Sequence, residues 1–229
     1  MTPTPRRLTP AETARVFALL ARRDPEPRTE LNHRTPFELL VAVVLSAQST
    51  DRMVNHVTEE LFARAPDPAG LLALAPEDLE RLLSRLGLYR TKARHLRNTA
   101  RLLLERHGGA VPREREALEA LPGVGRKTAN VLLNTLWDEP VVAVDTHVAR
   151  VARRLGLARG RTPEAIEREL VARIPPQRLR HAHHWLVLHG RHVCRARRPL
   201  CTSCPLRTLC PSAHSPDLDT RRPLASGSR

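Results

Sequence analysis

Three groups of residues in this sequence are equipped to do chemistry. The first is the run Leu121-Pro122-Gly123-Val124-Gly125-Arg126-Lys127-Thr128-Ala129. Two glycines at i and i+2 allow a tight turn with positive φ and close backbone approach. The turn runs straight into a helical pattern. The unbonded N–H groups of that helix start, together with its dipole, make an anion site suited to phosphate. Helix, turn and helix then form a helix–hairpin–helix suited to gripping one nucleic-acid backbone. The lysine stands out because Lys92 and Lys127 are the only lysines among 38 basic residues. Arginine serves almost everywhere that a cation is enough, whereas an amine can act as a nucleophile. Taken alone, the glycines suit an ordinary interhelical turn and Lys127 suits a phosphate contact.

The second group is Val144-Asp145-Thr146-His147-Val148, with Asp145 placed 18 residues after Lys127. Asp145 is well suited to cap the helix that follows. A carboxylate near an amine also assists proton transfer and stabilises developing positive charge. Capping and chemistry are compatible, since a cap fixes where the carboxylate points. His147 has solvation as its plain alternative.

The third group is Cys194-x6-Cys201-x2-Cys204-x5-Cys210, which holds all 4 cysteines of the chain. Four thiolates suit tetrahedral zinc or a cubane iron–sulfur cluster, and the spacing does not choose between them. No cysteine is left elsewhere for a disulfide framework. Arg191, Arg195, Arg197 and Arg198 surround the first two cysteines. A loop pinned by metal would turn these cations toward phosphates; the plain alternative is a solvated basic surface.

The elements that must position these groups read as helices nearly throughout. Thr9-Pro10-Ala11-Glu12 has the form of an N-cap, a first-turn proline and a capping-box glutamate, and Thr35-Pro36-Phe37-Glu38 repeats it. Asp51 is a candidate cap for the next helix. Two short leucine-rich helices start at Asp67-Pro68 and Ala75-Pro76, and a longer one runs from about Thr91 to His107 before Gly108-Gly109. Further helices are expected near Arg113–Leu121, Lys127–Trp137, Thr146–Leu155, Pro163–Ile174 and Arg178–Leu188. Val141-Val142-Ala143-Val144 has strand propensity but no partner, so it reads as a buried connector. The expectation is an all-α chain of about ten helices.

Bulk composition agrees. The net charge of +14 over 229 residues points to a polyanionic partner, with nucleic acid first. Aromatic residues are only 3%, too few for a sheet that stacks single-stranded bases. No apolar run approaches the roughly 18 residues of a membrane span, and no signal peptide is apparent, so a soluble intracellular protein without a membrane partner is expected.

The complete Leu-Pro-Gly-Val-Gly-x-Lys-Thr-Ala run resembles the helix–hairpin–helix DNA glycosylases, and the lysine narrows the resemblance to the endonuclease III family. Matching stretches extend from Thr29-Glu30-Leu31-Asn32 to Cys210, including Thr35–Leu40 and His183-His184-Trp185-Leu186. The resemblance implies two helical domains flanking a DNA-binding cleft: a contiguous six-helix domain over 29–139, and a discontinuous cluster domain of 1–28 with 140–210. A disordered tail is expected over 211–229.

By the same resemblance, Lys127 is the nucleophile and Asp145 the catalytic aspartate. Cys194, Cys201, Cys204 and Cys210 hold a [4Fe-4S] cluster. Leu121, Gly123, Val124, Gly125, Arg126 and Thr128 bind DNA through the hairpin. Thr146 and His147 line the DNA site; independently of the resemblance, the charge around the cysteines leads to the expectation that Arg195, Arg197 and Arg198 meet phosphates. Partial burial, nearby cations and the helix N-terminus are expected to disfavour the protonated form of Lys127. Gln48, in Ser46-Ala47-Gln48-Ser49-Thr50-Asp51, resembles a residue that fills the space left by a flipped nucleotide. Leu88, at the Gly87-Leu88-Tyr89 turn, resembles a wedge in the base stack. The expected activity is a bifunctional glycosylase and abasic-site lyase of base excision repair. Its expected substrate is double-stranded DNA carrying oxidised or ring-saturated pyrimidines, or abasic sites, and it acts as a monomer in the cytoplasm at the nucleoid.

Two other readings compete. Adenine- or thymine-mismatch glycosylases of the same superfamily are disfavoured by Lys127. A non-catalytic DNA-binding module with a structural metal accounts for hairpin, charge and cysteines, but leaves Lys127 and Asp145 together unexplained.

Overall fold

The computed structural model describes residues 5–213, and among them eleven α-helices and no strand. In chain order these are α1 (Pro10–Arg23), α2 (Pro36–Leu45), α3 (Asp51–Arg64), α4 (Pro68–Ala73), α5 (Pro76–Leu83), α6 (Tyr89–His107), α7 (Arg115–Glu119), α8 (Arg126–Trp137), α9 (Thr146–Arg154), α10 (Pro163–Arg173) and α11 (Pro176–His192). The fold is all-α. Val142 and Ala143 are fully buried in the connector before α9, without forming a strand.

The helix starts follow from capping chemistry. Thr9 and Glu12 form the reciprocal capping box of α1. At α2 only half of that arrangement exists. The Thr35 hydroxyl accepts from the Glu38 amide, but the Glu38 carboxylate turns to the amide and guanidinium of Arg34. The cap of α3 is Thr50, whose hydroxyl accepts from the Met53 amide, and not Asp51, which is the first helical residue. A threonine one residue earlier already has the extended backbone that a cap requires.

The described chain divides into two compact units. Thr29–Trp137 holds α2–α8. That is seven helices against the six expected, two of them very short. Its centre is α2, in which every residue from Phe37 to Leu45 is buried. A helix apolar on all sides must be enclosed. Helices α3, α6 and α8 pack around it and contribute Val54, Leu61, Leu96, Leu103, Ala129 and Leu132.

The second unit joins the N-terminal segment to Asp138–Arg229. Helix α9 packs along α11, with α1 and α10 beside them. Its core includes Phe17, Val148, Val151, Leu155, Ile166, Leu170, Trp185 and Leu186. The Trp185 indole donates to the Asp24 carbonyl at 2.8 Å, and a His183 ring nitrogen lies 3.0 Å from the Ala143 carbonyl. His183, His184 and Trp185 are therefore packing residues.

Helix α11 runs from Pro176 to His192, a turn longer at its C-terminal end than its sequence suggests, and takes Gly190 inside it. A Cβ at Gly190 would lie 2.9 Å from His147 Cβ, so the missing side chain is what lets α9 and α11 approach. The tail boundary also moves. Pro211–Ala213 form a turn with Ser212 buried, while the remainder of the expected tail, 214–229, lies outside the described residues.

Candidate active site

The hairpin is built by packing on both sides of its exposed tip. Leu121 and Val124 are buried, the Val124 amide donates to the Leu121 carbonyl at 3.0 Å, and the Thr99 hydroxyl of α6 donates to the Pro122 carbonyl. Gly123 has φ 81°, and a Cβ there would lie 2.8 Å from His95 Nδ1. Here positive φ and close approach coincide. Gly125 shows neither: its φ is ordinary, and an added Cβ would meet nothing within 4 Å. Only the first glycine is required by the turn itself.

Lys127 is the second residue of α8 and is exposed, as are Gly123, Gly125 and Arg126; Thr128 is half-buried. The expected partial burial of Lys127 is absent: the residue is exposed, and the same turn buries Ala129 instead. The helix N-terminus remains as a source of positive potential beside the amine.

Asp145 caps α9, with its Oδ1 accepting from the Val148 amide at 2.8 Å. It is half-buried, and Thr146 beside it is exposed. His147 is half-buried and packs on Gly190, and Arg150 Nη2 lies 3.1 Å from its Nδ1. Burial pushes the His147 pKa below its ordinary value, against the opposing pull of the Asp145 carboxylate. The neutral ring is thus tied into the α9–α11 contact.

Gln48 and Leu88 occupy neighbouring loops of the first unit. Both have left-handed backbones although neither is glycine, with φ 53° and 58°. Gln48 is exposed, and Leu88 is 59% exposed, the most of any large apolar residue among those described. A left-handed leucine in solvent costs about 1 kcal/mol in backbone strain and gains nothing by burial. The loops meet at Gly87, where a Cβ would lie 3.7 Å from the Gln48 carbonyl.

The four cysteines line one recess of about 370 Å³, part of it open to solvent, together with Arg154, Leu155, His189, Val193 and Leu200. None is in a disulfide. Among the described residues, no group of three or more His, Cys, Asp or Glu is placed to hold a metal ion. Burial pushes the Cys210 thiol up to about 11 and raises Cys204 as well. Arg195, Arg197 and Arg198 are all exposed on the loop after Cys194, with Arg198 left-handed at φ 51°.

Two arginines that sequence reasoning missed organise this region. Buried Arg154 donates to the carbonyls of Arg195 and Ala196 and reaches Cys194 Sγ at 3.5 Å, and its own carbonyl accepts from the Ser212 hydroxyl. Arg150 donates to the carbonyls of Cys194 and Gly190. No local signal separates these two from the other arginines; their roles lie in long-range contacts.

Comparison with known proteins agrees with this architecture. The family model described as "HhH-GPD superfamily base excision DNA repair protein" matches residues 41–176. Endonuclease III of Escherichia coli (strain K12) is 48% identical over 200 residues, which is 87% of this chain and 95% of that protein. Endonuclease III of Treponema pallidum is 51% identical over 195 residues, 85% of this chain and 92% of that one. A solved structure of a non-covalent endonuclease III–DNA complex superposes with a TM-score of 0.85 at 43% identity, covering 90% of this chain and 97% of that chain. The chain belongs to the endonuclease III family, helix–hairpin–helix DNA glycosylases and abasic-site lyases of base excision repair. Among the described residues no helix is long and apolar enough to cross a membrane.

Proposed function

We propose that this chain excises oxidised or ring-saturated pyrimidines of the thymine glycol type from duplex DNA, then cleaves the strand at the abasic site, with Lys127 as nucleophile. The observation that carries the reading is the exposed amine on the first turn of α8, directly behind the hairpin, in a chain that otherwise relies on arginine. A similar solved structure, 43% identical, is of a trapped endonuclease III–DNA covalent intermediate.

In this mechanism neutral Lys127 Nζ attacks the sugar C1′, and the N-glycosidic bond breaks with its electron pair leaving on the base. Sugar-ring opening gives an iminium between Nζ and C1′. The iminium acidifies the C2′ hydrogen; loss of that proton and departure of the 3′ phosphate oxygen break the strand. Water then hydrolyses the iminium and releases the lysine. Asp145, held by its cap bond, assists proton transfer and stabilises positive charge on the sugar.

The hairpin amides and Thr128 hold one phosphate, and Gly125 leaves room for close approach. Gln48 fills the vacated stack opposite the orphaned base, Leu88 wedges beside it, and Thr146 and His147 contact the DNA near Asp145. A monomer acting at the nucleoid in the cytoplasm suits this chemistry.

The donor set of the recess fits a [4Fe-4S] cluster. A cubane takes each thiolate on a different iron, so its four sulfurs surround one shared space rather than gather on one point. Cys194, Cys201, Cys204 and Cys210 line such a space, and Arg154 places a cation against one sulfur. When bound, the cluster would supply iron–sulfur bonds that tie the segments around Cys194, Cys201, Cys204 and Cys210 to one another beyond the end of α11. Arg195, Arg197 and Arg198 on that loop meet DNA phosphates.

Borohydride trapping on duplex DNA containing one thymine glycol tests the reading. A covalent adduct is expected, and Lys127→Ala should abolish it, a loss on the order of a thousandfold or about 4 kcal/mol of barrier. An adduct only with an abasic duplex would keep the lyase and reject the lesion class. No adduct with either substrate, from protein that still binds DNA, would leave a binding module.

A further inference from the structure

The chain's other lysine has no part in that chemistry. Lys92 lies in the first turn of α6 and is 3% exposed. Burial lowers its pKa below the ordinary lysine value. Its Nζ donates to the Ser49 hydroxyl at 2.9 Å, and its backbone amide donates to the Leu88 carbonyl at 3.0 Å. The amide bond is the first i→i−4 bond of α6 and forms whatever the side chain, so what Lys92 itself adds between the two left-handed loops is the bond to Ser49, the residue next to Gln48.

Burying an amine is costly unless it fixes something in return. A guanidinium in the same slot would bring five N–H donors where the bond to Ser49 needs one. That explains a lysine here in a chain rich in arginine. Gln48 and Leu88 both carry backbone strain, and strain persists only where surrounding contacts over-determine it. The Lys92 bond to Ser49 joins the Gln48 loop to the helix start that carries Leu88.

We infer that Lys92 is a positioning residue that locks the Gln48 and Leu88 loops together, so that both side chains enter the base stack as a single preformed wedge. This rests on the proposal that Gln48 and Leu88 insert into DNA. The amine itself touches neither sugar nor phosphate.

The test compares single-turnover base release from two DNAs: thymine glycol paired in a duplex, and the same lesion within a short unpaired bubble. Lys92→Met should slow release from the paired lesion about tenfold, the scale of one lost positioning bond. In the bubble, where the stack is already open, the variant should recover to within about twofold of the parent chain. Ser49→Ala removes the same bond from the loop side with little change in volume. It should show the same paired-only defect, and it replaces Lys92→Met if that variant fails to fold. Equal slowing on both DNAs, or no slowing on either, would overturn the inference. Leu88→Gly and Gln48→Ala separate the two levels. If they leave the paired rate unchanged, the insertion reading fails. If they slow it while the Lys92 and Ser49 variants do not, only the role of Lys92 fails.

Discussion

The hairpin before α8 and the loop after α11 both present cations to solvent, but they are held in opposite ways. The hairpin is supported by the core of its own unit: Leu121 and Val124 are buried, Gly123 lies against His95, and α6 supplies a bond to the Pro122 carbonyl. The cysteine loop buries nothing apolar of its own before Cys204, and only Leu206 and Leu209 after it. Between Cys194 and Cys204 it has only a short 3-10 turn, Cys201–Ser203, and Arg154 and Arg150 hold it through carbonyl contacts. One surface is made rigid by packing. The other is organised around four thiols and a recess.

The largest expected difference follows from removing a thiol. Cys204→Ser should cost the cysteine loop several kcal/mol if a bound cluster ties it down. Hydrogen exchange should accelerate across 194–213 while the amides of α8 stay protected, and absorption near 400 nm should disappear. Unchanged exchange in 194–213 would mean that arginine contacts alone hold the loop.

Next in size is Asp145, which caps α9 and is proposed to assist the chemistry. Asparagine caps as well as aspartate, so Asp145→Asn should keep the melting temperature while lowering the single-turnover rate on the order of a hundredfold. Asp145→Ala should lose the same rate and also about 1 kcal/mol of stability. A rate loss that tracks stability across both variants would reduce Asp145 to a cap.

The two hairpin glycines should then part company. Gly123→Ala meets His95 at positive φ and should cost about 1–2 kcal/mol in denaturant unfolding. Gly125→Ala faces open space, so its stability should change by less than about 0.5 kcal/mol while duplex affinity falls. Unaltered affinity in Gly125→Ala would show that DNA does not approach there.

The smallest effect is expected on the cysteine loop's surface. Changing Arg195, Arg197 and Arg198 together to alanine should lower duplex affinity about tenfold at moderate salt and reduce the log–log salt slope by about 2 to 3. An unaltered slope would make them a solvated face.

Much of this was legible in the residues. The Pro-Gly-Val-Gly-x-Lys run marks a turn entering a helix, Thr9 and Thr35 mark helix starts, and four cysteines within 17 residues mark one loop. These are local signals, in which backbone freedom, capping and spacing act between near neighbours. Where sequence reading went astray, either the exact point at which the backbone turns or a distant contact decides. Asp51 yields to Thr50 as the cap of α3 because the backbone turns one residue earlier. The helix expected to stop near Leu188 runs on to His192, and Gly190 in that extension lies close against His147 of α9.

By itself, then, the sequence determined an all-helical chain, the hairpin with its lysine, the capping aspartate and the grouped thiols. Only the tertiary structure decided that Lys127 stands exposed while Lys92 is buried, that Gln48 and Leu88 both carry left-handed backbones on neighbouring loops, and that Arg150 and Arg154 support the cysteine loop. The physical reason is range. Propensity and caps act over three or four residues, whereas burial and the pairing of polar groups depend on which distant segments pack together.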